Sequence, residues 1–318
     1  MSEGGTRAIV AALAANLGIA TTKFVAWGLT RSSSMLAEAI HSVADSGNQV
    51  LLLVGGKRAE READEEHPFG FGRSRYLYAF IVSVVLFSVG GLFALYEAYH
   101  KWSDPHGIDS WKWVPVAVLV VAIGLESYSF RTAIHEANKV RDGRSWVAFV
   151  RQAKSPELPV ILLEDSAALL GLVFALVGVA MTLVTHDGRW DAVGTALIGV
   201  LLVLVALVLA LETSSLLLGE GATSEDVRLI RDALVGEGVD RVIHLRTMYV
   251  GPDELLVAAK IAVPRTESAV DVSEAIDAAE KRVRNAVPAA RLIFLEPDID
   301  RGTPSDSDAI ASAPRSRR

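Results

Sequence analysis

The stretch Tyr76–Tyr96, YLYAFIVSVVLFSVGGLFALY, decides the fold class: 21 residues in a row without one charge. Two further uncharged runs follow, Ser166–Thr185 and Ala192–Leu211, of 20 residues each. A helix rises 1.5 Å per residue, so about 20 apolar residues cross a bilayer core. Working outward from these runs gives six spans. They are roughly residues 8–29, Ser34–Gly56, Tyr76–Tyr96, Trp113–Phe130, Leu158–Thr185 and Ala192–Leu218. Spans three, five and six follow from hydropathy alone. Spans one, two and four carry ionisable residues and score lower.

The whole chain has 318 residues, 51% hydrophobic and 22% charged, with a formal charge of −7. That balance gives no reason to expect nucleic acid as a partner. The absence of cysteine removes disulfide scaffolds, thiolate metal sites and cysteine nucleophiles. No short h-region with an A-x-A cleavage site opens the chain, so span one is read as retained.

The loops set orientation. Lys57, Arg58, Arg61, Arg73 and Arg75 follow span two; Arg131, Lys139, Arg141, Arg144, Arg151 and Lys154 follow span four. The opposite side carries only Arg31, Lys101, Lys112 and Arg189. Eleven against four places both termini in the cytoplasm by the positive-inside rule. Trp27, Trp102, Trp111, Trp113 and Trp190 fall near span ends on the other side, as an interfacial belt would.

After Gly219 the composition becomes that of a soluble α+β domain. A helix over 223–235 (Thr223 or Ser224 as N-cap), strands over 242–250 and 254–263, a helix over 271–287 and a strand over 291–296 give the order α-β-β-α-β. The expected division is a six-helix transmembrane domain over 1–219, a cytoplasmic α+β domain over 220–300 and a disordered polar tail over 301–318.

Charges inside a bilayer are costly and mark function. On a helical wheel Glu38, His41, Asp45 and Asn48 share one narrow face of span two. His41 and Asp45, at i and i+4, can reach one ion together, and imidazole with carboxylate suits zinc and its neighbours. The competing reading pairs His41 with Asp45, or with Lys23, merely to hold a bundle. In span five, Glu164 and Asp165 point about 100° apart. The Glu164 face continues as Ala168, Gly171, Ala175 and Gly178, a small-residue stripe suited to helix packing. The Asp165 face continues as Leu169, Leu172 and Leu176. Packing therefore favours Glu164 pointing inward. Glu126 in span four is either a further interior acid or a partner of Arg131. Glu38, Asn48 and Glu126 are auxiliary candidates for the metal shell.

Together these features resemble the cation diffusion facilitators, divalent-metal/proton antiporters. Ser34-Met35-Leu36-Ala37-Glu38-Ala39-Ile40-His41-Ser42-Val43-Ala44-Asp45 is similar to the family's second-helix signature. His67-Pro68-Phe69-Gly70-Phe71-Gly72-Arg73 resembles its first cytoplasmic loop, and Asp191 with Ile198-Gly199 the start of its sixth helix. His135-Glu136-Ala137-Asn138-Lys139, Pro156-Glu157-Leu158-Pro159 and Leu163-Glu164-Asp165 resemble the branch containing mammalian zinc transporter nine.

The resemblance implies a homodimer, held by the cytoplasmic domain in the cell membrane, that exports a divalent cation against protons. Zinc leads as cargo, and no cofactor is needed. Its metal ligands would be His41, Asp45 and either Asp165 (by the family pattern) or Glu164 (by packing). The family's usual first ligand of helix five is replaced by Ile161 or Val160, so one of four donors is missing. Asp64 and His67 remain of a second, loop site, where Phe71 stands for a frequent His. His41 favours zinc, cobalt or iron over magnesium and calcium, with manganese also open. Two other classes compete. One is a non-transporting membrane protein with a degenerate metal site. The other is an intramembrane metalloprotease, but no His-Glu-x-x-His occurs.

Overall fold

A computed structural model describes residues 3–30, 33–105 and 113–299. Within these, side chains at 3–4, 29–30, 33–38, 40, 41 and 44 also lie outside the described set. Arg31, Trp111, Lys112 and the expected disordered tail over 301–318 lie outside the described residues too. The chain divides into two compact units between Leu217 and Leu218.

The first unit is all helix. Its elements are α1 (Glu3–Thr30), α2 (Ser33–Ala59), α3 (Ser74–Val85), a π-helical stretch (Leu86–Leu92), α4 (Phe93–Ser103), α5 (Trp113–Val140), α6 (Trp146–Gln152), α7 (Glu157–Thr185) and α8 (Arg189–Leu218). Five of the described helical segments are long and apolar enough to cross a membrane: Gly5–Gly28, Ser74–Ser103, Trp113–Val140, Glu157–Thr185 and Arg189–Leu218. The expected second span does form a helix, α2, of 27 residues. It is not among the five, because Asp45, Ser46, Asn48 and Gln49 dilute its apolar content.

Two boundaries move. Span four continues ten residues beyond Phe130, to Val140, because Ala133 and Ala137 keep packing into the core. The second cytoplasmic loop contains a short helix, α6, whose N-cap Ser145 accepts from the Ala148 N–H at 3.2 Å. Ala8, Ile9 and Ala12 of α1, Leu52 of α2, Ala79 and Val82 of α3, and Val160 and Ile161 of α7 meet in the core of this unit. Trp102, Trp113 and Trp190 are exposed at helix ends.

The second unit has the expected α-β-β-α-β order: α9 (Ser224–Leu234), β1 (Arg241–Gly251), β2 (Glu254–Val263), α10 (Ala269–Ala286) and β3 (Ala290–Ile299). Thr223 is the N-cap of α9, its side chain accepting from the Asp226 N–H. The sheet order is β1-β2-β3, with β1 antiparallel and β3 parallel to β2. The α10 crossover supplies the long connection that a parallel pair needs. Ile230 and Leu234 of α9, Val257 and Ile261 of β2, and Ala279 and Val283 of α10 are fully buried together.

Candidate metal centre

Polar side chains collect where α1, α2, α5 and α7 pack together. Asn16 and Lys23 come from α1, Ser42, Ser46, Asn48 and Gln49 from α2, Glu126 and Ser129 from α5, and Glu164 and Asp165 from α7. All ten are buried. Groups of this kind need partners once removed from water, and several find them across helices.

Glu164 turns toward α2. Asn48 Nδ2 donates to Glu164 Oε1 at 2.9 Å and Gln49 Nε2 donates to Glu164 Oε2 at 3.0 Å. Asn16 Nδ2 in turn donates to Gln49 Oε1 at 3.4 Å. Asp165 turns toward α5, where Ser129 Oγ donates to Asp165 Oδ2 at 2.7 Å. The packing expectation that only one of the two acids points inward is therefore corrected: both are buried. The reason is that the first turns of α7 are covered on every side. Each of Glu157 to Leu162 is buried, so residues 100° apart still face protein. The small-residue stripe does pack, further along, with Gly171 against Ile198 and Gly178 against the backbone of Trp190.

Glu126 is an interior acid, 2% exposed, within electrostatic range of Asp165, Asp45, Glu164 and Lys23. Arg131, its alternative partner, is not among the groups acting most strongly on its charge. Asp45 is half-buried one turn before Asn48, and it faces Glu164 closely enough to act on its charge. His41 and Glu38 lie on α2, but their side chains fall outside the described set. Among the described residues, no three His, Asp or Glu side chains stand close enough together to hold a metal. The structure thus brings Asp45, Glu126, Glu164 and Asp165 into one polar interior without setting three of them at ligand distance.

Four members of this interior went unnoticed in the sequence: Asn16, Ser46, Gln49 and Ser129. Ser129 had a signal, standing three residues after Glu126 and so on the same helix face. Gln49 had one too, standing four residues after Asp45 and so on the same helix face. Asn16 is one amide within an apolar span.

The loop residues are arranged differently. His67 N–H donates to Asp64 Oδ1 at 2.7 Å, and His67 Nδ1 lies 3.2 Å from the same oxygen. That backbone bond holds the Asp64 carboxyl below its usual range. Both side chains are about half exposed. The His67 ring lies against Phe71, centroids 4.4 Å apart, with the Arg61 guanidinium over Phe71 at the same distance. This is a surface turn closed by its own side chains.

Long apolar helices around an acid-rich polar interior, joined to a small α+β unit, define an integral membrane protein built to handle small cations. The profile of the cation efflux transmembrane domain matches residues 9–218. The chain belongs to the cation efflux family, the cation diffusion facilitators, whose members are membrane transporters and not enzymes. The human proton-coupled zinc antiporter SLC30A9, mitochondrial, is 33% identical over 224 residues, 70% of this chain and 39% of that protein. This chain thus matches well under half the length of that relative. Metal tolerance protein C4 of Arabidopsis thaliana is 26% identical over 80% of this chain and 56% of its own. The cation-efflux pump FieF of Pectobacterium atrosepticum is 24% identical over 92% of this chain and 93% of its own.

Proposed function

We propose that the protein is a dimeric secondary transporter that exports a divalent cation, zinc first, from the cytoplasm in exchange for protons. The observation that carries this reading is the gathering of Asp45, Glu126, Glu164 and Asp165 inside a bundle of membrane-length helices. Acids so placed are retained for a cation pathway, since each opposes insertion.

In this reading α2 also crosses the membrane, as the second of six spans, because it packs against α1 and α3 and carries part of the polar interior. Residues 1–219 form the membrane domain and 220–300 the cytoplasmic domain that holds the dimer. Both termini are cytoplasmic, and the membrane is that of the cell, in keeping with the bacterial relative named an efflux pump. The metal is held by His41, Asp45 and one acid of α7, Glu164 or Asp165. It needs neutral imidazole and ionised carboxylates, so protons compete for the same groups, which is the physical basis of antiport. The fixed site is exposed to each side in turn as helix sets rock around it. The relatives named for zinc and for proton coupling support the choice of cargo and counter-ion.

The test is zinc uptake by inside-out vesicles carrying the Asp45→Asn variant. Uptake is lost while the folded dimer is retained. Normal uptake by that variant sinks the proposed site.

A further inference from the structure

We propose that Asn48 is a direct ligand of the transported cation, its side-chain amide oxygen supplying the donor that helix α7 lacks at Val160 and Ile161. This rests on the reading of the polar interior as the cation site. Asn48 is 1% exposed. Its orientation is dictated by its neighbour: the Glu164 carboxylate accepts, so the amide nitrogen faces it, at 2.9 Å. The amide oxygen is thereby turned away from Glu164. That oxygen, Oδ1, is buried and has no hydrogen-bond partner among the described residues.

Buried carbonyl oxygens are nearly always paired, and an orphan needs a reason. Gln49 shows the contrast. It clamps the other oxygen of Glu164, yet its own carbonyl oxygen is used, accepting from Asn16. Of the two amides that hold Glu164, only Asn48 has a carbonyl oxygen that accepts no bond from a described residue. Asn48 also follows Asp45 by three residues and His41 by seven, the spacing of one helix face. An amide oxygen is an accepted ligand for divalent cations and is harder than imidazole. It adds no charge, so His41, Asp45, Glu164 and Asn48 together carry two negative charges against a divalent ion. A harder fourth donor also keeps the site open to manganese, where a second imidazole would narrow it toward zinc.

The experiment uses the full chain in detergent, titrated with cobalt(II) and followed by its d–d absorption. Asn48→His exchanges oxygen for a stronger-field nitrogen and shifts the cobalt bands to shorter wavelength. In liposomes the same change raises zinc flux relative to manganese. Asn48→Leu weakens cobalt binding by roughly tenfold, about what losing one ligand interaction of 1.4 kcal/mol does. Gln49→Leu removes the other clamp on Glu164 but no spare oxygen, and it weakens binding clearly less. Equal losses in Asn48→Leu and Gln49→Leu overturn the proposal, leaving Asn48 as a clamp only. A wild-type cobalt spectrum in a folded Asn48→His variant overturns it too. Should Asn48→His not fold, the comparison of the two leucine variants decides. Wild-type cobalt binding by Asp45→Asn refutes instead the underlying site reading.

Discussion

Arg75, at the start of α3, forms a buried two-point ion pair with Glu157, at the start of α7. Arg75 Nε donates to Glu157 Oε1 and Nη2 donates to Oε2 at 2.8 Å, while Nη2 also reaches Ser155 Oγ at 3.2 Å. The two side chains are 5% and 3% exposed. A pair out of water is held by its own geometry, and removing one partner strands a charge at a cost of about 3–5 kcal/mol. We expect Glu157→Gln to lower the melting temperature of the detergent-solubilised chain strongly. Replacing both residues by apolar ones of similar size restores most of it. Thermal unfolding of the single and double variants measures this, and additive losses would refute it.

The two acids of α7 differ in how they are held, and stability separates them. Both oxygens of Glu164 accept from amides, so Glu164→Leu leaves Asn48 Nδ2 and Gln49 Nε2 without their acceptor. A stranded buried donor costs about 1–3 kcal/mol. Asp165→Asn keeps an oxygen for Ser129 Oγ and removes only the charge. We expect both variants to lose zinc transport in liposomes, but only Glu164→Leu to melt well below wild type.

Much of this arrangement is legible in the sequence, and the gaps have physical causes. The uncharged runs mark α7 and α8 because burial in lipid demands apolar side chains over a fixed length. In α2 the same residues that point to a cation site lower the hydropathy that would mark the span. Whether Glu164 or Asp165 faces inward could not be read from one helix, since neighbours from α2 and α5 cover both directions. The π-helical stretch Leu86–Leu92 has no local signature beyond Gly90 and Gly91. Gly91 there permits a close approach, a Cβ falling 2.6 Å from Val203 Cγ2. By contrast, the start of α10 is written in the chain as the capping box Ser268-x-x-Asp271, whereas the apolar period alone places the helix start two residues late.

Gly178 and Gly194 bring α7 and α8 into backbone contact. A Cβ on Gly178 would meet the Trp190 carbonyl oxygen at 2.9 Å, and one on Gly194 the Phe174 carbonyl oxygen at 2.9 Å. Rigid backbone stands at both points, so even a methyl group forces the helices apart. Overpacking of this kind costs about 1–3 kcal/mol. We expect Gly178→Ala and Gly194→Ala each to lower thermal stability. Gly28→Ala, with nothing within 4 Å of the added atom, should not. Equal melting of all three would show that the close approach carries no energy.

The capping box of α10 makes part of the soluble unit acid-sensitive. Ser268 Oγ donates to Asp271 Oδ2 at 2.6 Å, Ser268 N–H donates to the same oxygen at 3.0 Å, and Asp271 N–H donates to Ser268 Oγ at 3.3 Å. The side-chain bond first, and the backbone bond second, hold the Asp271 carboxyl below its ordinary value of 3.8. A group whose folded pKa is depressed stabilises the fold above its unfolded pKa and loses that contribution as pH falls through the folded one. Protection of the first turn of α10 should therefore be constant above about pH 5 and fall below about pH 4. Hydrogen exchange on the full chain, read at the amides following Ser268, measures it. Asp271→Asn flattens this dependence while keeping the helix. Ser268→Ala removes the two hydroxyl bonds, keeping the backbone one, and costs roughly 0.5–2 kcal/mol at every pH. An acid-induced loss at these amides that persists in Asp271→Asn would assign it to another group.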